Sequence, residues 1–135
     1  MLKYYLSNTL RNTDLGLLIL RIVGGGFMLT HGWPKLSKLL SGDMAFADPI
    51  GIGEAPSLVL TVFSEVVCSM MILIGWKGRL ASIFSIITMA VAGLIVHGGD
   101  PWSKKEHALM YLGIYLVIFL MGTGKYGLEG RSSVS

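Results

Sequence analysis

Four stretches of this chain are apolar over nearly the length of a membrane-spanning helix. They are residues 15–33, 56–76, 80–97 and 106–123. A helix that crosses the hydrocarbon core of a bilayer needs about 20 predominantly apolar residues. The fourth stretch reaches that length only if it includes Glu106 and His107 at its start and Thr123 at its end. The pattern predicts an all-α membrane protein, folded as a bundle of four transmembrane helices.

The charge content agrees with a membrane protein. Only 14% of the 135 residues are charged, whereas soluble domains average about 25%. The net charge is +3, but the basic residues are spread over every loop and form no basic face. The expected partner is therefore the lipid bilayer and not nucleic acid. The one cysteine, Cys68, lies inside the second stretch, which excludes an intramolecular disulfide and a cysteine metal motif.

Two charged residues lie inside the apolar stretches, Arg21 in the first and Glu65 near the middle of the second. A lone ionised group at bilayer depth costs at least roughly 2.5 to 3.5 kcal/mol, so each needs a partner, a cavity or a functional role. For Glu65 the alternative to a functional pocket is a protonated carboxyl that is hydrogen-bonded inside the bundle. For Arg21 the alternative is an extended side chain that reaches the inner headgroups.

Helix geometry places these residues at different depths. With the termini inside and a rise of 1.5 Å per residue, Arg21 lies roughly 9 Å, Glu65 roughly 15 Å and His31 roughly 24 Å into the membrane. Side chains lean toward the N-terminus of their helix, so Arg21 and Glu65 lean apart while His31 and Glu65 lean together. We therefore predict a ligand or proton pocket centred on Glu65 and His31, with Arg21 as its lower wall or as an inner-surface anchor.

Further candidates lie near the same membrane face. His107 and Tyr111 are four residues apart and share one helix face, so Tyr111 is predicted to join the pocket and to bind a ligand headgroup. The secondary candidates are Lys35, His97, Glu106 and His107. Convergence of the three histidines at one depth leaves a metal, a haem or a proton-exchanging site open. Because histidine at helix ends is also common at membrane interfaces, no metal ligand is assigned.

Topology and the first connection are also predicted. Four spans put both termini on one side, which carries six lysines and arginines against four on the other side. The positive-inside rule then favours cytoplasmic termini. The connection over residues 35–55 follows Pro34, contains glycine and proline, and is too apolar for a free linker. It is expected to lie in the interface or to fold back over the bundle. The three glycines at 24–26 are predicted to serve close helix packing.

Several short segments together resemble the DoxX family of small four-helix membrane proteins. These segments are LRI at 20–22, HGWPK at 31–35, FSEV at 63–66, LIG at 73–75, GRLA at 78–81, EHALMY at 106–111 and GTGKYG at 122–127. Their order and spacing extend the resemblance over nearly the whole chain, from about Leu17 to Gly127. Thr123 stands where the family's turn usually has proline. The segments match the family as a set, since each alone is short.

The resemblance implies a single membrane domain over residues 1–135, in the inner (cytoplasmic) membrane of a bacterium or archaeon. Some members of the family are the membrane subunit of a thiosulfate-oxidising enzyme that passes electrons to quinone, and others are linked to redox stress. The implied role is a quinone-facing subunit of an oxidoreductase assembly, with quinone as ligand and other membrane or redox subunits as partners. This chain has no cysteine arranged for sulfur chemistry. Two alternatives stay open: a non-enzymatic accessory subunit of a larger membrane complex, and a proton-coupled transporter of small molecules.

Overall fold

The computed structural model describes the backbone of residues 2–132 and the side chains of residues 12–130, and every regular element in these residues is helical. Helix α1 consists of Leu2–Arg21, a π-helical segment Ile22–Phe27 and Met28–Leu40. Helix α2 is Glu54–Ile74 and helix α3 is Gly78–Val96. Helix α4 is Trp102–Met121, and the short helix α5 is Leu128–Ser132.

Three of these helices are long and apolar enough to cross a membrane: Asn12–Leu40 of α1, and all of α2 and α3. This confirms a helical membrane protein. Helix α4 packs along α3, but its first turns carry Lys104, Lys105 and Glu106, and it ends at Met121. Its apolar part is therefore shorter than that of the other three helices. A fourth span by α4 stays a prediction.

Helix α1 is longer than the sequence predicted. It continues through Pro34 and ends at Leu40, whereas the predicted helix ended before that proline. Proline inside a helix removes one hydrogen bond and costs about 3 kcal/mol or more. Here the added turns pack Leu36 and Leu39 against the buried apolar cluster of α2, and this burial favours the helical continuation.

Two glycines of α1 let its backbone approach α2 closely. A Cβ atom at Gly25 would lie 2.7 Å from the carbonyl oxygen of Ser69, and one at Gly32 would lie 2.8 Å from the carbonyl oxygen of Glu65. Atoms of this kind do not approach each other so closely, so only glycine fits at either position. The predicted packing role of the glycine run is confirmed for Gly25, and Gly24 packs likewise against Tyr115 of α4.

Each of the three spanning helices contains a π-helical segment, namely Ile22–Phe27, Phe63–Cys68 and Ala92–Val96. π-Helical segments are rare in proteins, but those that occur are often found at functional sites. Glu65 lies in the π-helical segment of α2, and its side chain is buried. The Glu65 side chain therefore extends from a turn of α2 that departs from regular α-helical geometry.

The connection between α1 and α2 folds back onto the bundle. Phe46 packs against the buried cluster of α2 that comprises Leu58, Val62 and Val66. The carboxylate of Asp48 accepts hydrogen bonds from the backbone N–H groups of Ile52 and Gly53 and from the hydroxyl of Ser57. These bonds tie the loop to the first turn of α2.

Candidate functional site

Lys35 and Glu65 form an ion pair between α1 and α2. Lys35 Nζ lies 2.6 Å from Glu65 Oε2, and the Glu65 side chain is only 6% exposed against 30% for Lys35. The continuation of α1 past Pro34 brings Lys35 to this position. The direct partner of the intramembrane carboxylate is thus Lys35, which the sequence ranked as a secondary candidate, and not His31.

Two cavities meet at this ion pair. The larger has a volume of about 330 Å³ and lies under the α1–α2 loop, between α2 and α3. The smaller has a volume of about 150 Å³ and reaches toward α4. Both are lined by Lys35, Glu65, Ala92 and His97. The ion pair therefore forms a shared wall between two compartments.

The larger cavity is mostly apolar. Its apolar lining includes Phe46, Pro49, Ile50, Ile52, Leu60, Ile87, Val91 and Val96. The polar groups are the ion pair, His97 and three hydroxyls, which belong to Ser57, Thr61 and Thr88. A predominantly apolar cavity of roughly 300 to 1,000 Å³ with a few convergent polar groups is typical of small-molecule sites.

The smaller cavity gathers several of the predicted residues. It is lined by His31, His107, Tyr111 and Lys104 in addition to the shared groups. The His31 ring packs edge-on against Tyr111, with ring centroids 5.9 Å apart. Tyr111 in turn stacks on Tyr115 at 6.1 Å. The structure thus brings the three histidines and Tyr111 to the same end of the bundle as Glu65.

His97 is oriented by a residue that the sequence prediction did not include. Its Nδ1 lies 2.8 Å from Asp100 Oδ2 in the turn that follows α3. The hydrogen bond with His97 lowers the pKa of Asp100, burial opposes this shift, and the positive charge of Lys104 supports it. The bond fixes the position of an imidazole that lines both cavities.

Arg21 lies apart from this cluster, at the opposite end of α2. The residue is 2% exposed, and its guanidinium donates to the carbonyl oxygens of Ile72 at 3.0 Å, Leu73 at 2.6 Å and Thr123 at 3.4 Å. The last carbonyls of a helix have no partner within the helix, and a guanidinium with five donors satisfies several of them. Arg21 is therefore neither the lower wall of the pocket nor an anchor that reaches the headgroups.

Glu106 is also outside the cluster. It is exposed on the first turns of α4 and lines neither of the two cavities. No group of three or more histidine, cysteine, aspartate or glutamate side chains that could hold a metal ion occurs in the part of the chain that the structure describes. The three histidines share a region of the bundle without forming such a group.

The sequence prediction missed the apolar lining of the larger cavity. Phe46, Ile50 and Ile52 belong to a loop whose unusual hydrophobicity was the only signal of this role. Thr61 and Thr88 line the same cavity from α2 and α3, and isolated threonines in apolar helices carry no distinguishing pattern. One feature of the sequence pointed to Lys35. It lies four residues after His31, so the two side chains share a helix face if α1 continues through Pro34.

No curated protein and no solved structure matches this chain. The DoxX family model matches residues 16–98. The matched range contains the ion pair, His31 and His97, and it ends before α4. The segments 106–111 and 122–127 that also resemble the family lie beyond this range. Because the match covers more than half of the chain, this protein belongs to the DoxX family.

Proposed function

We propose that this DoxX family member is the quinone-facing membrane subunit of an oxidoreductase assembly, and that it binds the quinone headgroup in the larger cavity at the Lys35–Glu65 pair. One observation carries the proposal: a largely apolar cavity of about 330 Å³ ends on a buried carboxylate and an ammonium group. A quinone has a matching character, since an apolar body carries two carbonyl oxygens. When bound, it supplies the chemistry of a two-electron, two-proton acceptor.

Lys35 and Glu65 have separate tasks in this proposal. The ammonium group of Lys35 has three donors, and the bond to Glu65 uses one of them. The remaining donors serve to hold a carbonyl oxygen of the ligand. Glu65 is the group that takes up or releases a proton next to the headgroup. A buried carboxylate that is paired with a lysine is well suited to this, because the pair can redistribute its hydrogen bonds as a proton moves.

The smaller cavity offers a path for protons. His31 and His107 line it together with Glu65, and histidine exchanges protons near neutral pH. Protons that move between the aqueous phase and Glu65 pass through these imidazoles or through water between them. Electrons come from a partner redox subunit, so the chain acts within an assembly and not as a self-contained enzyme.

The membrane arrangement is part of the proposal. We place α4 as the fourth span, the termini on the cytoplasmic side, and the chain in the cytoplasmic membrane of a bacterium or archaeon. The excess of basic residues at the termini and at the α2–α3 turn supports this orientation. The two cavities then lie toward the outer face.

One observation favours each of the other candidate functions. The ion pair separates two cavities, which is the arrangement that a proton-coupled transporter would use. Arg21 binds carbonyl groups of α2 and of the turn after α4, which is the register-fixing role expected in a non-enzymatic accessory subunit. Flux measurements in proteoliposomes identify a transporter, and a purified native complex without quinone-linked activity identifies an accessory subunit.

Binding of a water-soluble benzoquinone without a side chain tests the proposal. Equilibrium dialysis of the chain in nanodiscs, with empty nanodiscs as the blank, measures the affinity. Loss of a charged hydrogen bond to the ligand costs about 1.5 to 3 kcal/mol, so Lys35→Met should weaken binding about tenfold or more. Glu65→Gln removes the carboxylate that holds the Lys35 ammonium group in place, and it should weaken binding as well. Lys38→Met is the matched control, because Lys38 lines neither cavity. Equal affinity of the wild type, Glu65→Gln and His31→Ala, with unchanged activity of the native assembly, would disprove the proposal.

A further inference from the structure

The larger cavity is lined on one side by residues that also face outward. Leu60 of α2 is 54% exposed and Ile87 of α3 is 57% exposed, and both line the cavity. Ile50 and Ile52 of the loop share this combination. On spanning helices such as α2 and α3, exposed apolar side chains face the hydrocarbon of the bilayer. The cavity therefore has an apolar rim on its lipid side.

The rim is bounded by a contact between the same two helices. Phe63 of α2 and Phe84 of α3 pack edge to face, with ring centroids 5.3 Å apart. Leu60 lies three residues before Phe63 and Ile87 three residues after Phe84, so each rim residue is about one turn from its ring on the same helix face. Both displacements run toward the loop end of the bundle. The lipid-facing side of the cavity thus lies between the phenylalanine pair and the loop.

The loop covers the end of this lipid-facing side that is farther from the phenylalanine pair. Phe46, Pro49 and Ile52 line the cavity from the loop, and the hydrogen bonds of Asp48 hold the loop on α2. The polar groups Lys35, Glu65 and His97 lie on the inner wall, toward the smaller cavity. The cavity is therefore polar at its inner end and apolar toward the lipid.

We propose that the cavity opens to the bilayer between Leu60 and Ile87, as a lateral portal through which the hydrocarbon chain of the bound ligand extends. This inference rests on the proposed function and adds the ligand class, a chain-bearing quinone-like lipid that enters from the membrane. The polarity of the cavity orients such a molecule with its headgroup at Lys35 and its chain between α2 and α3. The Phe63–Phe84 pair then lies beside the first part of the chain.

Photo-crosslinking tests the portal on the wild-type protein. The probe is a benzoquinone with a decyl chain that ends in a diazirine, added to the chain in nanodiscs and followed by peptide mass spectrometry. We expect label on the lipid side of α2 and α3 around Leu60, Ile87 and the phenylalanine pair. An excess of the benzoquinone without a side chain should remove this label, because both compounds compete for the headgroup site. Label on other lipid-facing positions, such as Ile19 of α1, should resist competition.

Ile87→Trp provides a second measurement, with Ile83→Trp as the matched control. Both isoleucines are exposed on α3, but Ile83 does not line the cavity. We expect Ile87→Trp to abolish the competed label and Ile83→Trp to preserve it. Competed label that maps away from α2 and α3, or that survives in Ile87→Trp, overturns the portal while quinone binding stands. If the benzoquinone without a side chain does not bind at all, the proposed function and the portal both fall.

Discussion

Lys35 Nζ lies 2.6 Å from Glu65 Oε2, so the acidic group inside the second span is neutralised from the first helix. The contact exists because α1 continues for six residues past Pro34 and because Gly32 allows its backbone to approach Glu65. Breaking a buried ion pair leaves the other charge uncompensated and is more costly than replacing both partners. The pair is therefore central both to stability and to the proposed site.

Glu65→Gln should destabilise the protein as well as weaken ligand binding. Removing the carboxylate leaves the partly buried Lys35 without its counter-charge, and we expect a loss of about 1 to 3 kcal/mol. The double variant Lys35→Met, Glu65→Gln should recover part of this loss. Thermal unfolding in detergent measures both effects, with Glu54→Gln on the exposed start of α2 as control. Strictly additive single effects would contradict a direct pair.

Arg21→Lys should lower stability without changing ligand affinity. A lysine cannot reproduce the three-carbonyl contact to Ile72, Leu73 and Thr123, because an ammonium group lacks the planar fork of a guanidinium. We expect a loss of about 1 to 3 kcal/mol for the unsatisfied groups. The readouts are thermal unfolding and benzoquinone dialysis on the same sample. If Arg21→Lys bound benzoquinone more weakly but unfolded at an unchanged temperature, Arg21 would belong to the ligand site after all.

Gly25→Ala should be destabilising, whereas Gly16→Ala should not. The added methyl group at Gly25 would meet backbone atoms of Ser69 and Leu73, and overpacking of this kind costs about 1 to 3 kcal/mol. At Gly16 nothing lies within 4 Å of the added Cβ, and alanine is the better helix former by roughly 0.5 to 1 kcal/mol. Unfolding temperatures of the two variants should therefore move in opposite directions.

Asp48→Ala should loosen the loop over the larger cavity. The variant loses three acceptor contacts, to the N–H groups of Ile52 and Gly53 and to the hydroxyl of Ser57. Amide hydrogen exchange should accelerate at Ile52 and Gly53, while the amides in the middle of α2 keep their protection. Asp43→Ala is the control, since its carboxylate accepts from Ala45 at the start of the loop. Unchanged exchange at Ile52 would show that Asp48 does not hold the loop.

The turn after α3 should show a pH response in the acid range. Because the hydrogen bond with His97 lowers the pKa of Asp100 in the folded state, the stability it contributes is present above the unfolded pKa of about 3.9. This contribution is lost as the pH falls through the folded value. A carboxyl NMR titration should give a pKa for Asp100 below that of a model peptide, and His97→Ala should raise it. Equal values in the two proteins would contradict the contact.

The sequence by itself determined the helical membrane class. Hydropathy is a local property, so the apolar stretches and the exceptional position of Glu65 within one of them are readable without a structure. The sequence also predicted that Gly25 serves close helix packing. The same reasoning could not settle where α1 ends, because the packing of Leu36 and Leu39 on α2 outweighs the effect of Pro34.

Only the tertiary structure decided the partners of the two intramembrane charges. Arg21 binds backbone carbonyls, and these groups are present at every residue and leave no pattern in a sequence. Glu65 binds Lys35 because the helical continuation of α1 past Pro34 places the lysine beside the carboxylate. The larger cavity likewise requires three separate segments, the loop, α2 and α3, to meet around the ion pair. Such long-range contacts depend on how helices pack, and periodicity within one helix does not encode them.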